Sequence, residues 1–352
     1  MSPTLRSVSS TPRSLVEDGR FALGTYKTPF ERVNPLDARL GALWPWPRWL
    51  KKWRLKEWEH FALVNDQYYL SLALFDAKIL GLGQVCVYSR NDGAIYFYER
   101  RIPPGKIRLP PNILSSRAAY ESRGFSLRIE NALDAGYIGI EFEIEASKGL
   151  PRITGRFRCL EPLGTSEPIV VCLPLSGRAA MYSHKYTCPI EGSMTLGRAH
   201  VDFPAQISYG LIDIHQGYYP VVMKWHWATA GGRAPDGRRL GFNLTDNQVE
   251  DQQAYNENCV WRDGRLCLLP PVAFSFDRRD HLEPWAIRDR DGMVQLTFQP
   301  EVVRTVDLNA LLLRSRYRAP FGAFSGRLRT GDGDEIEVDD WFGMCEDFYL
   351  RA

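Results

Sequence analysis

The sequence predicts an all-β protein: two antiparallel β-barrels or strongly curved sandwiches in tandem, with few short helices. Three observations carry this. Apolar and polar residues alternate strictly in many short runs. Asp-Gly and other glycine turns separate the runs. No run alternates with a helical pattern in the way that parallel βαβ units require. The 352 residues are ample for two domains.

In chain order, residues 1–55 read as an irregular arm punctuated by proline, ending in a short helix near Trp46–Lys56. Trp46, Trp49, Leu50 and Trp53 fall at i, i+3, i+4 and i+7, and Arg48, Lys51, Lys52 and Lys56 occupy the other side. That composition suits either an interfacial membrane contact through Trp46, Trp49 and Trp53 or a plug over a barrel mouth. Residues 56–165 form the first expected β unit. In it Ile138, Ile140, Phe142 and Ile144 interleave with Glu141, Glu143 and Glu145, so one face meets a core and one meets water. Glu161–Pro168 has linker composition and marks the expected boundary. Residues 166–352 form the second unit. Its alternating runs are Val272–Phe276, Val294–Gln299 and Glu335–Asp339, with turns at Asp236-Gly237, Asp263-Gly264, Asp291-Gly292 and Gly331-Asp332-Gly333. A faint internal echo supports duplication: Gly192 is followed 21 residues on by Asp213, and Gly326 is followed 20 residues on by Glu346.

Composition excludes several classes. A net charge of +2, from 44 basic and 42 acidic residues, leaves no electrostatic footprint for nucleic acid. No apolar run is long enough to span a bilayer as a helix. The seven cysteines are scattered with no C-x-x-C, which argues against a disulfide framework and for a reducing cytoplasm. There is no nucleophile elbow, phosphate loop or dinucleotide fingerprint, and the six histidines lack metal-ligand spacing. Neither a cofactor nor a metal is therefore expected.

The densest unusual segment is residues 182–264. It holds Lys185-x-x-Cys188-Pro189-x-Glu191-Gly192, Trp225-x-Trp227-Ala228, Asp236-Gly237-x-x-x-Gly241-x-Asn243-Leu244 and Glu257-Asn258-x-x-Trp261-x-Asp263-Gly264. Leu55-Lys56-Glu57-Trp58 precedes this set; Pro284-Trp285, Phe321-Gly322-x-Phe324-x-Gly326 and Gly343-x-x-Glu346-Asp347 follow it. The ordered set resembles the bacterial domain-of-unknown-function family 2804 over roughly residues 50 to 350. The stretch Thr245–Asp251 departs from it, being poorer in glycine. More distantly the pattern is similar to paired lipocalin-like proteins that include carotenoid 1,2-hydratases and tocopherol cyclases. That resemblance implies two calycin-type barrels and an isoprenoid- or lipid-like ligand.

Within this set, Met223, Trp225 and Trp227 would share one strand face, and indole π faces can stabilise a developing carbocation. Glu257, Cys259 and Trp261 would share another; a carboxyl buried beside a thiol and an indole favours its neutral form and can protonate a double bond. Glu257 is thus the first choice for a proton donor and His226, flanked by tryptophans, the second. Trp225, Trp227, Asn243, Asn258, Trp261 and Lys185 are the expected ligand contacts. The chain reads as a cofactor-independent hydratase, isomerase or cyclase acting on an isoprenoid- or lipid-like alkene, or alternatively as a non-catalytic carrier of such molecules. A dry carboxyl opposite tryptophan in a cavity would favour the first, and purely apolar walls the second.

Overall fold

The computed structural model describes residues 5–41, 44–147, 149–234, 236–309 and 314–351. Regular structure is almost entirely strand, and all pairing between strands is antiparallel. Among the described residues the helices are one α-helix, Arg48–Arg54, and two single 3-10 turns.

The first unit is a meander that folds back on itself. Its opening strand, Lys56–Val64, pairs with Tyr68–Asp76 on one side and with the unit's last strand, Tyr209–Gly217, on the other. From there the sheet continues through Ala179–Leu196, Ile153–Leu160 and Tyr137–Ile144 to an edge at Ser116–Ser122. The second unit repeats the order. Its opening strand, Val222–Arg233, lies between Arg239–Asp246 and the last strand, Glu335–Arg351, followed by Arg314–Arg329 and Val294–Asn309. First-beside-last pairing is what curls a meander toward a barrel.

The units are duplicates in detail. Gly192 and Gly326 both have positive φ, 151° and 133°. At each, a β-carbon would lie 2.2 or 2.1 Å from the crossing strand's carbonyl oxygen (Arg156 or Gln295), so only glycine fits. Asp213 and Glu346 hold equivalent places on the two last strands: Asp213 is opposite His60, and Glu346 is opposite Trp227.

The boundary expected at Glu161–Pro168 falls elsewhere. That segment is a turn inside the first unit, and the sheets part between Gly217 and Val222. Proline and glycine describe a turn as well as a linker. Here Glu161 is fully buried with both carboxylate oxygens about 3 Å from His184 Nε2.

Alternation builds three apolar layers. Phe61, Leu72, Val85, Phe142 and Ile214 fill the first unit, and Phe242, Trp285, Phe298 and Phe324 fill the second. Ala62, Tyr69 and Leu211 meet Trp227, Phe321 and Met344 between them. The N-terminal arm packs Leu15, Tyr26, Phe30 and Leu40 on the back of the first unit and adds Gly24–Tyr26 beside Ile169–Ser176. The helix is shorter than expected and buries no residue. Trp46 precedes it and packs on the arm, while Trp49 and Trp53 are exposed, so these indoles plug no barrel.

Candidate functional site

Both barrel interiors are packed with side chains, and the main cleft, of about 250 Å³, lies between the units. Strand parity explains this. On Lys56–Val64, Phe61 and Leu63 point into the first unit, so Trp58 and His60 point out toward the second. On Tyr209–Gly217, Ile212 and Ile214 point in, and Asp213 and His215 point out. The second unit supplies Trp225, Trp227, Tyr317, Glu346 and Phe348 by the same rule.

Equivalent residues meet across the cleft. Trp58 stacks on His215 at 4.3 Å between ring centroids, Trp225 stacks on Phe348 at 3.9 Å, and the two tryptophans stack on each other at 5.9 Å. Each indole also serves a carboxylate: Trp58 Nε1 donates to Asp213 at 3.4 Å and Trp225 Nε1 to Glu346 at 3.0 Å.

The two carboxyls differ in their other neighbours. Lys185 Nζ lies 2.5 Å from Asp213 Oδ1, and His215 Nε2 lies 2.9 Å from the same oxygen. Burial alone would raise the Asp213 pKa, but the Lys185 ammonium and then the His215 imidazole override it and hold the group well below the usual carboxylate range. Lys185 is correspondingly held above its ordinary value despite burial, by Asp213 and Glu257. Glu346 makes no ion pair among the described residues. Tyr317 donates its hydroxyl to Oε1 at 2.6 Å, and burial, only partly offset by that bond and the one from Trp225, pushes the carboxyl upward toward its neutral form. A buried ion cluster is a poor source of stability because desolvation consumes most of its Coulomb energy. Opposed carboxyls in one cleft are a recurrent feature of acid–base sites.

The expected residues fall into two groups. Glu257, Lys185, Trp225 and Trp227 line the cleft. Glu257 precedes the strand Cys259–Arg262, and its carboxylate lies 4.0 Å from Lys185 and 3.9 Å from His215, beside an ammonium and an imidazole rather than in an apolar niche. Lys185 also lies 4.9 Å from the centre of the Trp227 ring. The other four lie outside. His226 points to the opposite face, with Asp246 and Asp347 each 3.6 Å away. Desolvation pulls its pKa down, but these carboxylates outweigh it and raise the value. Asn243 accepts from Trp227 Nε1 and donates to the Glu257 carbonyl. Asn258 caps the Thr245 amide and the Pro270 carbonyl. Trp261 donates its indole N–H to the Glu167 carbonyl. All three are structural.

Trp58, His60, Asp213, His215, Tyr317 and Glu346 were not singled out from the sequence as site residues. A signal existed: the internal echo ends on Asp213 and Glu346, and same-face parity then points to His215.

This architecture defines a duplicated, lipocalin-like β protein with a polar, aromatic-walled cleft between its halves. The chain belongs to the family described as Domain of unknown function (DUF2804), whose pattern matches residues 7–351. No curated protein matches it. Among solved structures it is similar to kievitone hydratase from Nectria haematococca, at 9% identity and a TM-score of 0.51, over 84% of this chain and 88% of that one. At that identity the likeness is one of fold.

Proposed function

We propose that the protein is a cofactor-independent enzyme of the hydratase type, adding water to, or removing it from, an isoprenoid- or lipid-like alkene. One observation carries the reading: Asp213 and Glu346, equivalent in the two units, face one aromatic-walled cleft with their ionisation pushed in opposite directions. Such a separation assigns the acid and the base. The Glu346 carboxyl, its pKa raised by burial, gives a proton to one alkene carbon as the π bond breaks. The cation that develops on the other carbon lies in a cleft whose walls include the Trp58, Trp225 and Tyr317 rings. Water attacks it, and Asp213, held ionised by Lys185 and His215, takes the proton that the water loses. Removal of water follows the same steps in reverse. Glu257 completes the charge balance around Lys185. The hydratase of similar fold supports this class of reaction, and a carboxyl against tryptophan favours it over a passive carrier.

The reading extends to ligand delivery. Trp49 and Trp53 are exposed beside Lys52 on a helix whose Arg54 bonds the carbonyl of Tyr219, a cleft residue. That placement supports contact with an anionic membrane from which an apolar ligand would enter.

The test is deuterium incorporation from D₂O into a panel of isoprenoid and fatty alkenes, chosen with the help of mass spectrometry of lipid that co-purifies with the protein. Glu346→Gln should cut exchange roughly 10²–10⁴-fold. Exchange undiminished in this variant removes Glu346 from the chemistry, and no exchange with any alkene defeats the reading.

A further inference from the structure

The cleft contains a second charged element that the proposed reaction does not use. Lys56, Lys185 and Arg304 are the lysine and arginine residues buried among those described. Lys56 donates to the Ala77 carbonyl at 2.6 Å and Lys185 to Asp213 at 2.5 Å. Arg304, 8% exposed on the strand Val294–Asn309, has no acceptor and no carboxylate partner among the described residues, and its Nε is buried without any hydrogen bond. Its guanidinium carbon lies 4.1 Å from the centre of the Phe97 ring and 5.4 Å from that of Tyr317. The rings satisfy its faces and leave the donors at its edge free. A buried, unpaired cation is costly unless something else pairs it. Arg304 lines the cleft, so an occupant of the cleft can be that partner.

We infer that Arg304 is the anchor for a carboxylate on the ligand, so that the substrate is an amphipathic alkenoic acid. The inference rests on the hydratase reading only for the alkene. A guanidinium edge matches a carboxylate with two parallel hydrogen bonds. Among the described residues Arg304 is the buried cation of the cleft that lacks a carboxylate partner, Lys185 being paired with Asp213, and this suits a single negative charge. Glu99, which also lines the cleft and is held by Gln84 and Arg101, disfavours the second charge of a phosphate. Tyr317 sets the distance: its ring lies against Arg304 and its hydroxyl bonds Glu346, so a bound acid presents carbons one phenol ring away to the proton donor.

Calorimetric titration with geranic acid, geraniol and geranyl phosphate tests this. Wild-type protein should bind the acid roughly 10–100-fold tighter than the alcohol, the range of a charge-assisted hydrogen-bond pair. Arg304→Met should bring the acid to the alcohol's affinity and leave the alcohol unchanged. Arg304→Lys should keep a reduced preference. Equal binding of acid and alcohol to the wild type overturns the assignment, and that comparison needs no variant to fold. So does an undiminished preference in Arg304→Met, or tighter binding of the phosphate. The two proposals fail separately. Selective binding of geranic acid with no deuterium uptake keeps the anchor and defeats the hydratase; deuterium uptake without acid selectivity does the reverse.

Discussion

Single residues in this protein are governed by how far their charge is matched once water has gone. Asp213 and Glu346 occupy equivalent positions, yet their loss should have opposite effects. Asp213→Asn leaves Lys185 buried without its main partner, and should destabilise the fold by about 3–5 kcal/mol in urea titrations at pH 7. Glu346→Gln removes a carboxyl that burial disfavours in its charged form, and should be neutral or mildly stabilising under the same conditions. Glu59, inside the first unit with Asn131 as its partner, sharpens the point. Burial raises its pKa from 4.5 to about 7, with the Asn131 hydrogen bond opposing. The folded state then holds a proton that the unfolded chain has lost, so this group costs stability as pH rises from 4.5 through 7. The full penalty is on the order of 3 kcal/mol above that range. Glu59→Gln should therefore raise Tm at pH 8 and change it little at pH 4; an equal shift at both would show that titration of Glu59 is not the cause.

At the level of elements, the two long strands Ala179–Leu196 and Arg314–Arg329 each turn across a neighbour at one glycine. Gly192→Ala and Gly326→Ala should each cost at least about 2 kcal/mol, because the new methyl meets a backbone carbonyl that cannot move aside. Alanine at Gly164, where nothing lies within 4 Å, meets only its unfavourable φ and should cost less. Thermal melts of the three variants give the comparison. The helix Arg48–Arg54 makes a different prediction. Its exposed Trp49 and Trp53 should give flotation with anionic vesicles that weakens with salt and is lost in the doubly alanine-substituted protein. Absence of flotation at low salt would leave these indoles without a membrane role.

For the whole molecule, the shared layer of Ala62, Tyr69, Leu211, Trp227, Phe321 and Met344, together with the cleft cluster, predicts one unfolding transition seen alike by tryptophan emission and circular dichroism. Two separated transitions would mean that the units are independent. The β class and strand parity were legible in the sequence because alternation and Asp-Gly turns are local signals. The cleft was less so. Trp225, Trp227, Lys185 and Glu257 reach it, but knowing that Trp58 lies opposite His215, or His60 opposite Asp213, requires the pairing of a unit's first strand with its last, more than 140 residues apart in sequence. The linker-like composition of Glu161–Pro168 concealed that pairing by suggesting too early a boundary. His226 was misplaced for a related reason: its own strand gives its face but not which face meets the other unit.

The stacking of Trp58 on Trp225 brings a residue against its own counterpart. Self-contact of that kind marks a two-fold axis, and in a dimer of identical chains such an axis would force both sides of the interface to carry the same groups. Here a covalent connection joins the halves, and the symmetry is free to break. One side of the axis carries His60, Lys185 and His215 around Asp213; the other carries Trp227 and Phe348 beside Glu346. A homodimer would surround its two carboxyls with identical side chains, whereas a tandem chain can give symmetry-related carboxyls of a single cleft different neighbours, a lysine at Asp213 and a tyrosine hydroxyl at Glu346.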